Sequence, residues 1–503
     1  MSLTSTTSQP VLRTAIVGTG YIADFHARAI AKVAGVELVA VCDRNLSLAD
    51  ALATQWKVPS FASVEEMLAN QKLDALHVLT PPDSHHAVAE QALRSGVHVF
   101  LEKPMCVSTA ECDDLLAIAE QGGRTVGVNH SLLFEGAFAR LRDHIRAGDL
   151  GPLDHITINC FIELALIRFG PFTNWMLREP QNALLEIGPH PISALMDLVG
   201  TLDEIEVKAD RDLILPGGAR VYPRWRIRTA SGRTTADVNI DVGPGFQQRS
   251  IAVRGLAGTA WVDLDANTCV IDRKTPAGID FDRRKRSVSQ AAQIREQSGT
   301  TVKDYVLGKA KLSERGGPFS NSIQDSVAAF YAGLLGQSEL DSRIRGAFGK
   351  TVIETCEQIC TLASLKGPVT RPNVTATADL KPDVLVLGAT GFIGRKLIQQ
   401  LLEKGHTVRA AARGPSLELE ELGSDRLEIM RADMRSPDDV RGMLAGIDHV
   451  FHLAATGSKT WDQFCESEIE PTRRLARACI EAGVKRLIYT STIDSYYAGG
   501  GAG

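Results

Sequence analysis

The 503-residue chain lacks the features that mark membrane, secreted and nucleic-acid-binding proteins. No apolar run approaches the roughly 18 residues of a membrane-spanning helix, and the N-terminus has neither the basic flank nor the apolar core of a secretory signal. Lys and Arg number 55 against 60 Asp and Glu, a formal net charge of −5, so the positive excess that favours nucleic acid is missing. We therefore expect a cytoplasmic protein without membrane or nucleic-acid partners.

The chain also lacks the cysteine pattern of a disulfide framework or a metal centre. It has nine cysteines, an odd number, and no Cys-x-x-Cys pair, which predicts reduced and mostly buried thiols. Cys356 and Cys360 would share a helical face, but no His or further Cys accompanies them, so we predict core packing and no metal site. The one basic run, residues 283–286, is interpreted as a solvated loop.

What the chain does have is a repeated opening: an apolar strand, a glycine turn and a helix, at residues 11–33 and again at 382–405. Strands and helices then alternate to residue 129, which is typical of a parallel sheet covered on both faces. Successive extended segments follow, which predict a mostly antiparallel sheet. We predict an α/β chain with a tail at 1–10, a Rossmann domain at 11–130, an α+β domain with an open, mostly antiparallel sheet at 131–365, a linker at 366–381 and a second, incomplete Rossmann domain at 382–503.

The first glycine turn has the spacing of a dinucleotide site. Gly18, Gly20 and Ala23 form G-x-G-x-x-A, in which the glycines permit a tight turn and close approach of a pyrophosphate to the helix N-terminus. Asp43 closes the next strand, where a carboxylate accepts both ribose hydroxyls and repels a 2′-phosphate. This pattern favours NAD, while the neighbouring Arg44 leaves NADP open.

The second turn carries Gly388, Gly391 and Gly394 at a different spacing. Arg413 ends the following strand, and a guanidinium there suits a 2′-phosphate, so NADP is favoured over NAD at this site. Asp433 ends the next strand; it is interpreted either as an adenine contact or as a structural carboxylate.

Three further motifs give residues 11–365 a resemblance to the glucose–fructose oxidoreductase/inositol dehydrogenase (Gfo/Idh/MocA) family. They are TPPDSHHAVAEQAL (80–93), GVHVFLEKP (96–104) and LLEIGPHPISALMDLVG (184–200). Glu186 stands where the family usually has Asp, and Ser131 stands where members often carry Arg.

The resemblance implies roles for three residues of the first unit. Lys103 would polarise the substrate oxygen, His190 would act as general base, and Glu186 would orient His190 or bind a substrate hydroxyl. The expected cofactor contacts beyond the glycines, Asp43 and Arg44 are Tyr21, Ile22, Thr80, Pro81, His85 and Glu102 in the first unit, and Phe392 and Ile393 in the second.

The implied activity is NAD(P)-dependent hydride transfer to or from a secondary hydroxyl of a sugar, sugar nucleotide or cyclic polyol. Reduction of an unsaturated or imine substrate, with Lys103 as proton donor, is a second reading within the family. A non-catalytic dinucleotide-sensing regulator is the competing class, which the departures at Glu186 and Ser131 allow. The family's open sheet face also leads us to expect a homo-oligomer.

Residues 382–503 resemble the extended short-chain dehydrogenase/epimerase family through GATGFIG, HLAA (452–455) and YTST (489–492). Thr492 matches the family's catalytic Ser/Thr position. The Tyr-x-x-x-Lys pair is missing, because Gly500 and Gly501 follow Tyr496 and Tyr497 at the lysine spacing. We interpret the sequence as cut short, with a non-catalytic module as the alternative.

Overall fold

The computed structural model describes residues 11–164, 167, 174–215, 219–243, 245–310, 316–368, 380–412, 419, 422–455 and 464–491. They form two compact units, one within 1–213 and 220–367 and the other within 214–219 and 368–503. No helix in these ranges combines the length and the hydrophobicity that crossing a bilayer requires.

The first unit begins with a six-stranded parallel sheet in the order β3-β2-β1-β4-β5-β6. Its central strands are short apolar runs buried on both faces, as helical crossovers on either side require. The order reverses between β1 and β4, and ligands of such sheets bind at the carboxyl ends of the strands there. The strands are β1 Leu12–Val17, β2 Val36–Cys42, β3 Ser60–Phe61, β4 Ala75–Val78, β5 His98–Glu102 and β6 Val126–Asn129.

Five helices connect these strands. Two of them begin at serine caps: Ser63 Oγ accepts from the Glu66 amide at 3.1 Å, and Ser108 Oγ accepts from the Glu111 amide at 3.3 Å. The helices are Ala23–Ile30, Leu46–Trp56, Val64–Asn70, His85–Arg94 and Thr109–Gly122, with a 3₁₀ turn at Pro82–Ser84.

The second sheet of this unit has seven strands in the order β15-β14-β13-β7-β12-β11-β8. Every neighbouring pair is antiparallel except β12 with β7, which confirms the prediction of a mostly antiparallel sheet. Buried and less buried residues alternate along β12, as one covered face predicts. The strands are β7 Leu153–Glu163, β8 Ile205–Asp210, β11 Arg224–Ser231, β12 Thr234–Gly243, β13 Gln248–Gly255, β14 Gly258–Asp263 and β15 Thr268–Arg273; the short β9 Leu213–Ile214 and β10 Arg220–Val221 lie outside this sheet.

Helices surround this second sheet, and one of them corrects an expectation. The basic run 283–286 lies in the helix Ile279–Lys309, so its interpretation as a loop is wrong. Asp280 and Asp282 in the first turn favour a helix start, and Arg286 pairs with Asp272 of β15 at 2.8 Å. The other helical segments are Ser131–Phe134, Gly136–Arg146, Trp175–Leu177, Asn182–Ile187, Pro189–Val199, Pro318–Leu334, Ser342–Ile344 and Gly346–Leu362.

The second unit contains a five-stranded parallel sheet in the order β18-β17-β16-β19-β20, which confirms a second Rossmann-type sheet. Ser436 Oγ caps the helix Pro437–Leu444 through the Asp439 amide at 3.3 Å. The strands are β16 Val384–Leu387, β17 Val408–Ala412, β18 Leu427–Arg431, β19 His449–His452 and β20 Arg486–Tyr489, and the remaining helical segments are Phe392–Glu403, Cys465–Ile469 and Glu470–Glu481.

All nine cysteines are free thiols, and seven of them are buried. Cys356 is fully buried in the helix Gly346–Leu362, and burial raises the pKa of its thiol. The prediction of buried, packing thiols is therefore confirmed.

Candidate active site

The glycine loop between β1 and the helix Ala23–Ile30 has the geometry that its spacing predicts. Gly18 has φ +91°, and a Cβ there would lie 2.6 Å from the Leu79 carbonyl carbon, so the position requires glycine. At Gly20 a Cβ would meet nothing within 4 Å, which leaves space for a ligand to approach the backbone. No side chain caps the first turn of the helix, so its positive dipole end is open to an anion, although the Ala23 and Phe25 amides donate to the Gly20 and Ile22 carbonyls.

Asp43 lies beside this loop. Its Oδ2 accepts from the Thr19 amide at 2.8 Å and from Thr19 Oγ1 at 3.1 Å, and its Oδ1 accepts from the Asn45 amide at 2.8 Å. The carboxylate is partly exposed, and Arg44 next to it is exposed. A negative charge is thus fixed at the end of β2, next to the turn where a ribose would follow a pyrophosphate.

A cavity of about 370 Å³ opens at the carboxyl ends of β4 and β5. Seven residues expected from the sequence to contact cofactor or substrate line it, although they come from four separate segments of the chain. They are Tyr21, Ile22, Thr80, Glu102, Lys103, Glu186 and His190.

Lys103 and Glu186 form the main ion pair of the cavity. Lys103 Nζ donates to Glu186 Oε1 at 2.6 Å and to the Glu186 carbonyl oxygen at 2.9 Å. The Lys103 side chain is 12% exposed and that of Glu186 is 29% exposed. An ammonium group has three N–H donors, so one remains for a further acceptor.

His190 lines the same cavity, one turn beyond Glu186. The structure breaks the chain here into the helices Asn182–Ile187 and Pro189–Val199 with Gly188 between them. Burial lowers the pKa of His190 well below its usual value, and the positive charges of Lys103 and Arg249 lower it further. The imidazole is therefore neutral near pH 7, which leaves one ring nitrogen as an acceptor.

Two expected cofactor contacts, His85 and Pro81, do not line the cavity. His85 is fully buried, with Nε2 2.8 Å from the Thr80 carbonyl oxygen and Nδ1 2.9 Å from that of Pro104. Burial lowers the pKa of His85. The carbonyl of Pro81 accepts from the Ser84 amide at 3.0 Å. Their cofactor contacts remain predictions, and the observed contacts of His85 hold the ends of β4 and β5 together.

Six cavity residues were not among the expected site residues: Leu79, Pro82, Ser131, Ile187, Phe319 and Ile323. Ser131 follows β6, while Phe319 and Ile323 come from the helix Pro318–Leu334. Ser131 was noted only as a departure from a family pattern. Phe319 and Ile323 carry no local motif; Ile323 is buried, whereas Phe319 is 41% exposed.

A larger cavity of about 1070 Å³ lies between the helix Ile279–Lys309 and β15. Its walls are rich in arginine, but several of these charges are already paired, as Arg273 is with Asp149 and Arg286 with Asp272. None of the expected site residues lines it, so we assign the candidate active site to the smaller cavity.

The second glycine turn is equally constrained. Gly388 has φ +77°, and a Cβ at Gly394 would lie 2.2 Å from the Gly388 carbonyl oxygen. Phe392 and Ile393 are 78% and 60% exposed at the start of the helix that follows Gly391. The turn and helix start thus match the dinucleotide-binding expectation for this unit.

The other expected contacts of the second unit are only partly described. Asp433 forms an ion pair with Arg435 at 2.6 Å, and its two interpretations, adenine contact and structural carboxylate, both stay predictions. Arg413 and Thr492 lie outside the described residues, as do Tyr496 and Tyr497. His452 of the HLAA motif is buried, and its Nε2 lies 3.0 Å from Thr472 Oγ1.

Comparison with known families assigns both glycine turns. Residues 12–130 match the Gfo/Idh/MocA model, described as an oxidoreductase family with an NAD-binding Rossmann fold. Residues 388–502 match a family described as NAD(P)H-binding. The chain therefore carries a Gfo/Idh/MocA domain near its N-terminus and an NAD(P)-binding domain near its C-terminus.

Several curated proteins are similar to parts of the chain. UDP-N-acetylglucosamine 3-dehydrogenase of Acidithiobacillus ferrooxidans is 34% identical over 26% of this chain and 41% of its own length. D-glucoside 3-dehydrogenase of Escherichia coli is 32% identical over 39% of this chain and 55% of its own length. Cinnamoyl-CoA reductase 1 of Petunia hybrida is 37% identical over 23% of this chain and 36% of its own length. The chain thus spans about half or less of these relatives.

Solved structures share the fold of the first unit. The WlbA dehydrogenase of Bordetella pertussis was solved with NADH and UDP-GlcNAcA. Its match covers 73% of this chain and 99% of the WlbA chain, with a TM-score of 0.55 and 20% identity. An Agrobacterium radiobacter oxidoreductase, solved with NAD+, L-tartaric acid and magnesium, covers 70% of this chain and 96% of its own, with a TM-score of 0.54 and 16% identity. At these identities the likeness is one of fold.

Proposed function

We propose that the first unit is an NAD(P)-dependent oxidoreductase that transfers hydride to or from a secondary hydroxyl of a sugar, sugar nucleotide or cyclic polyol. The observation that carries the proposal is the convergence of Lys103, Glu186 and His190 on one cavity beside the glycine loop. The second unit would act as a further dinucleotide-binding module.

The residues around the loop fit a dinucleotide. The open space at Gly20 and the uncapped helix start would receive the pyrophosphate, and Asp43 would accept the ribose hydroxyls. Tyr21 and Ile22 would lie along the path from the pyrophosphate to the cavity. A bound nicotinamide would supply the hydride acceptor or donor.

The protein's own groups would handle the proton. The remaining N–H of Lys103 would donate to the substrate oxygen. This hydrogen bond would stabilise the negative charge that develops on the oxygen as the hydroxyl proton leaves. His190, held neutral by burial and by the Lys103 charge, would accept that proton. Glu186 contacts Lys103 and would orient the ammonium; its contact with a substrate hydroxyl remains a proposal.

Cofactor preference is proposed from the fixed charges. Asp43 places a carboxylate where the 2′-phosphate of NADP would lie, so NAD is favoured in the first unit. Preference for NADP in the second unit rests on Arg413, which lies outside the described residues.

The substrate class is proposed from the relatives. Two of them are named as 3-dehydrogenases of UDP-N-acetylglucosamine and of D-glucosides. A cavity of about 370 Å³ accommodates one sugar ring beside a nicotinamide more readily than an extended chain. A free sugar, a glycoside and the sugar end of a nucleotide conjugate all meet this requirement.

The test is a screen of NAD+ and NADP+ reduction with UDP-hexoses, glucosides and inositols, followed by titration of the cofactor. We expect turnover of at least one hydroxyl substrate, and loss of that turnover in His190→Ala with dinucleotide binding retained. A protein that binds the dinucleotide tightly and reduces it with no member of the panel would contradict the proposal and favour a dinucleotide sensor.

A further inference from the structure

Behind the cavity lies a buried row of polar side chains that the proposed chemistry does not use. His26 Nε2 lies 2.9 Å from Glu102 Oε1, and His26 Nδ1 lies 2.9 Å from His77 Nδ1. His77 Nε2 lies 2.9 Å from the Tyr331 hydroxyl, which lies 2.8 Å from Thr14 Oγ1. Thr14, His26, His77 and Tyr331 are fully buried, so this row occupies an otherwise apolar interior.

Such a row is costly to bury and therefore requires an explanation. Polar groups taken out of water stabilise a fold only when their partners are in place, and a partly satisfied row is worse than an apolar one. The row joins the helix Ala23–Ile30, which starts at the glycine loop, to the end of β5, which carries Glu102. It thus links the two elements that would hold the dinucleotide and the catalytic lysine.

Glu102 is the member of the row that reaches the cavity. Its Oε1 accepts from Asn129 Nδ2 at 2.6 Å, and its Oε2 accepts from the Lys103 amide at 3.2 Å. Burial alone would raise the pKa of Glu102, but the hydrogen bonds from His26 and Asn129 and the Lys103 charge outweigh it and lower the pKa. Glu102 is therefore an ionised carboxylate near pH 7. Because a carboxylate only accepts hydrogen bonds, the 2.9 Å contact between its Oε1 and His26 Nε2 requires a proton on that nitrogen.

The anion sits one residue from Lys103, yet Lys103 Nζ makes its ion pair with Glu186, at 2.6 Å. A carboxylate freed from its donors would be drawn to the ammonium of its own neighbour, because opposite charges attract strongly in a partly buried site. That contact would occupy the N–H that the substrate oxygen needs. His85 and His130 also face Glu102, but burial lowers the pKa of each, so both are neutral near pH 7 and leave Lys103 as the nearby cation.

We propose that His26 is a positioning residue of the active site, whose Nε2–H holds the Glu102 carboxylate away from the Lys103 ammonium and so keeps one Lys103 N–H free for substrate. His77 and Tyr331 hold the imidazole in the orientation that presents Nε2 to Glu102. The effect of this contact on turnover rests on the proposed function, whereas the placement of the Glu102 carboxylate does not depend on that function.

Two substitutions at position 26 separate this role from general packing. In His26→Gln the terminal amide can reach the position of Nε2 and donate to Glu102, whereas in His26→Asn the shorter amide mimics Nδ1 and cannot reach it. Both variants lose the ring and its contact with His77. We expect kcat to fall about tenfold in His26→Asn and to change less than about threefold in His26→Gln, with KM for the dinucleotide little changed in both.

The decisive arm repeats His26→Asn in a Glu102→Gln background. Removing the negative charge removes the competition for Lys103, so the loss caused by His26→Asn should shrink to less than about twofold. The same loss in both backgrounds would overturn the proposal, because a packing defect does not depend on the charge at position 102. Equal losses in His26→Asn and His26→Gln would overturn it as well.

A crystal structure gives a readout that does not need turnover. In His26→Asn the Glu102 carboxylate should lie within ion-pair distance of Lys103 Nζ; a carboxylate in its wild-type position would overturn the proposal. If His26→Asn does not fold, Asn129→Ser removes the other donor to the same oxygen and serves in the same comparison. If the enzyme oxidises no hydroxyl substrate, the proposed function is wrong, but the position of the Glu102 carboxylate in the variant still tests the role of His26.

Discussion

Replacing Lys103 by Met tests the role of its ammonium at nearly constant side-chain length. Nζ makes two hydrogen bonds to Glu186 and has one N–H left for the substrate oxygen. Loss of one donor aimed at a developing oxyanion costs roughly 10²–10³ in kcat, or about 2.7–4 kcal/mol. We therefore expect kcat to fall by about that factor, measured from reduced-cofactor absorbance with the best substrate of the screen.

Binding should survive the same substitution, because the glycine loop and Asp43 do not contact Lys103 through any described hydrogen bond. Fluorescence titration with NADH should give a dissociation constant within about threefold of wild type. Lys350→Met is the matched control, since it breaks a Lys–Asp pair, with Asp113, at the protein surface, where such pairs contribute little to stability. Turnover by Lys103→Met within about threefold of wild type would refute the reasoning.

Three further predictions concern stability and the second unit. Gly18→Ala would place a Cβ 2.6 Å from the Leu79 carbonyl carbon. It should remove NADH binding by the first unit while the second unit still binds, and should lower the melting temperature more than Gly123→Ala, where φ is +60° but space is open. Burial lowers the pKa of His130 to about 4. Between pH 6.5 and 4 the unfolded chain therefore binds a proton at this residue that the folded chain does not bind. Urea titrations should show that the free energy of unfolding decreases as the pH falls through this range. Gly394→Ala would bring a Cβ to 2.2 Å from the Gly388 carbonyl oxygen, so dinucleotide stoichiometry measured by calorimetry should fall while activity of the first unit persists.

Local chemistry made much of the site predictable. The glycine turn is recognisable in the sequence because only glycine fits at position 18. Lys103 is recognisable because it follows an apolar strand of a parallel sheet, at the end where ligands bind. Both signals are contained in a few consecutive residues. Their meeting with His190 in one cavity follows from the resemblance, and the geometry agrees with it.

Residues that act through tertiary contacts could not be found in this way. Tyr331 lies 254 positions from His77 along the chain, and Phe319 reaches the cavity from the same late helix. Nothing near either residue in sequence marks it as more than core. The partner of Glu186 was also missed: the family resemblance suggested His190, whereas Glu186 pairs with Lys103.

The helix Ile279–Lys309 escaped prediction for a different reason. No described residue of it is buried, so it has no apolar stripe of the kind that identifies an amphipathic helix. Its charged residues indicated a loop, whereas their contacts with β15, such as Arg286 with Asp272, contribute to its packing.

A crystal structure of the full chain with NAD+ and a substrate from the screen tests the central claim most directly. We predict that the pyrophosphate lies against Gly20 and that the nicotinamide enters the cavity lined by Lys103 and His190, with the substrate oxygen in hydrogen-bond reach of Lys103 Nζ. A nicotinamide bound outside this cavity, or a substrate oxygen remote from both side chains, would contradict the account.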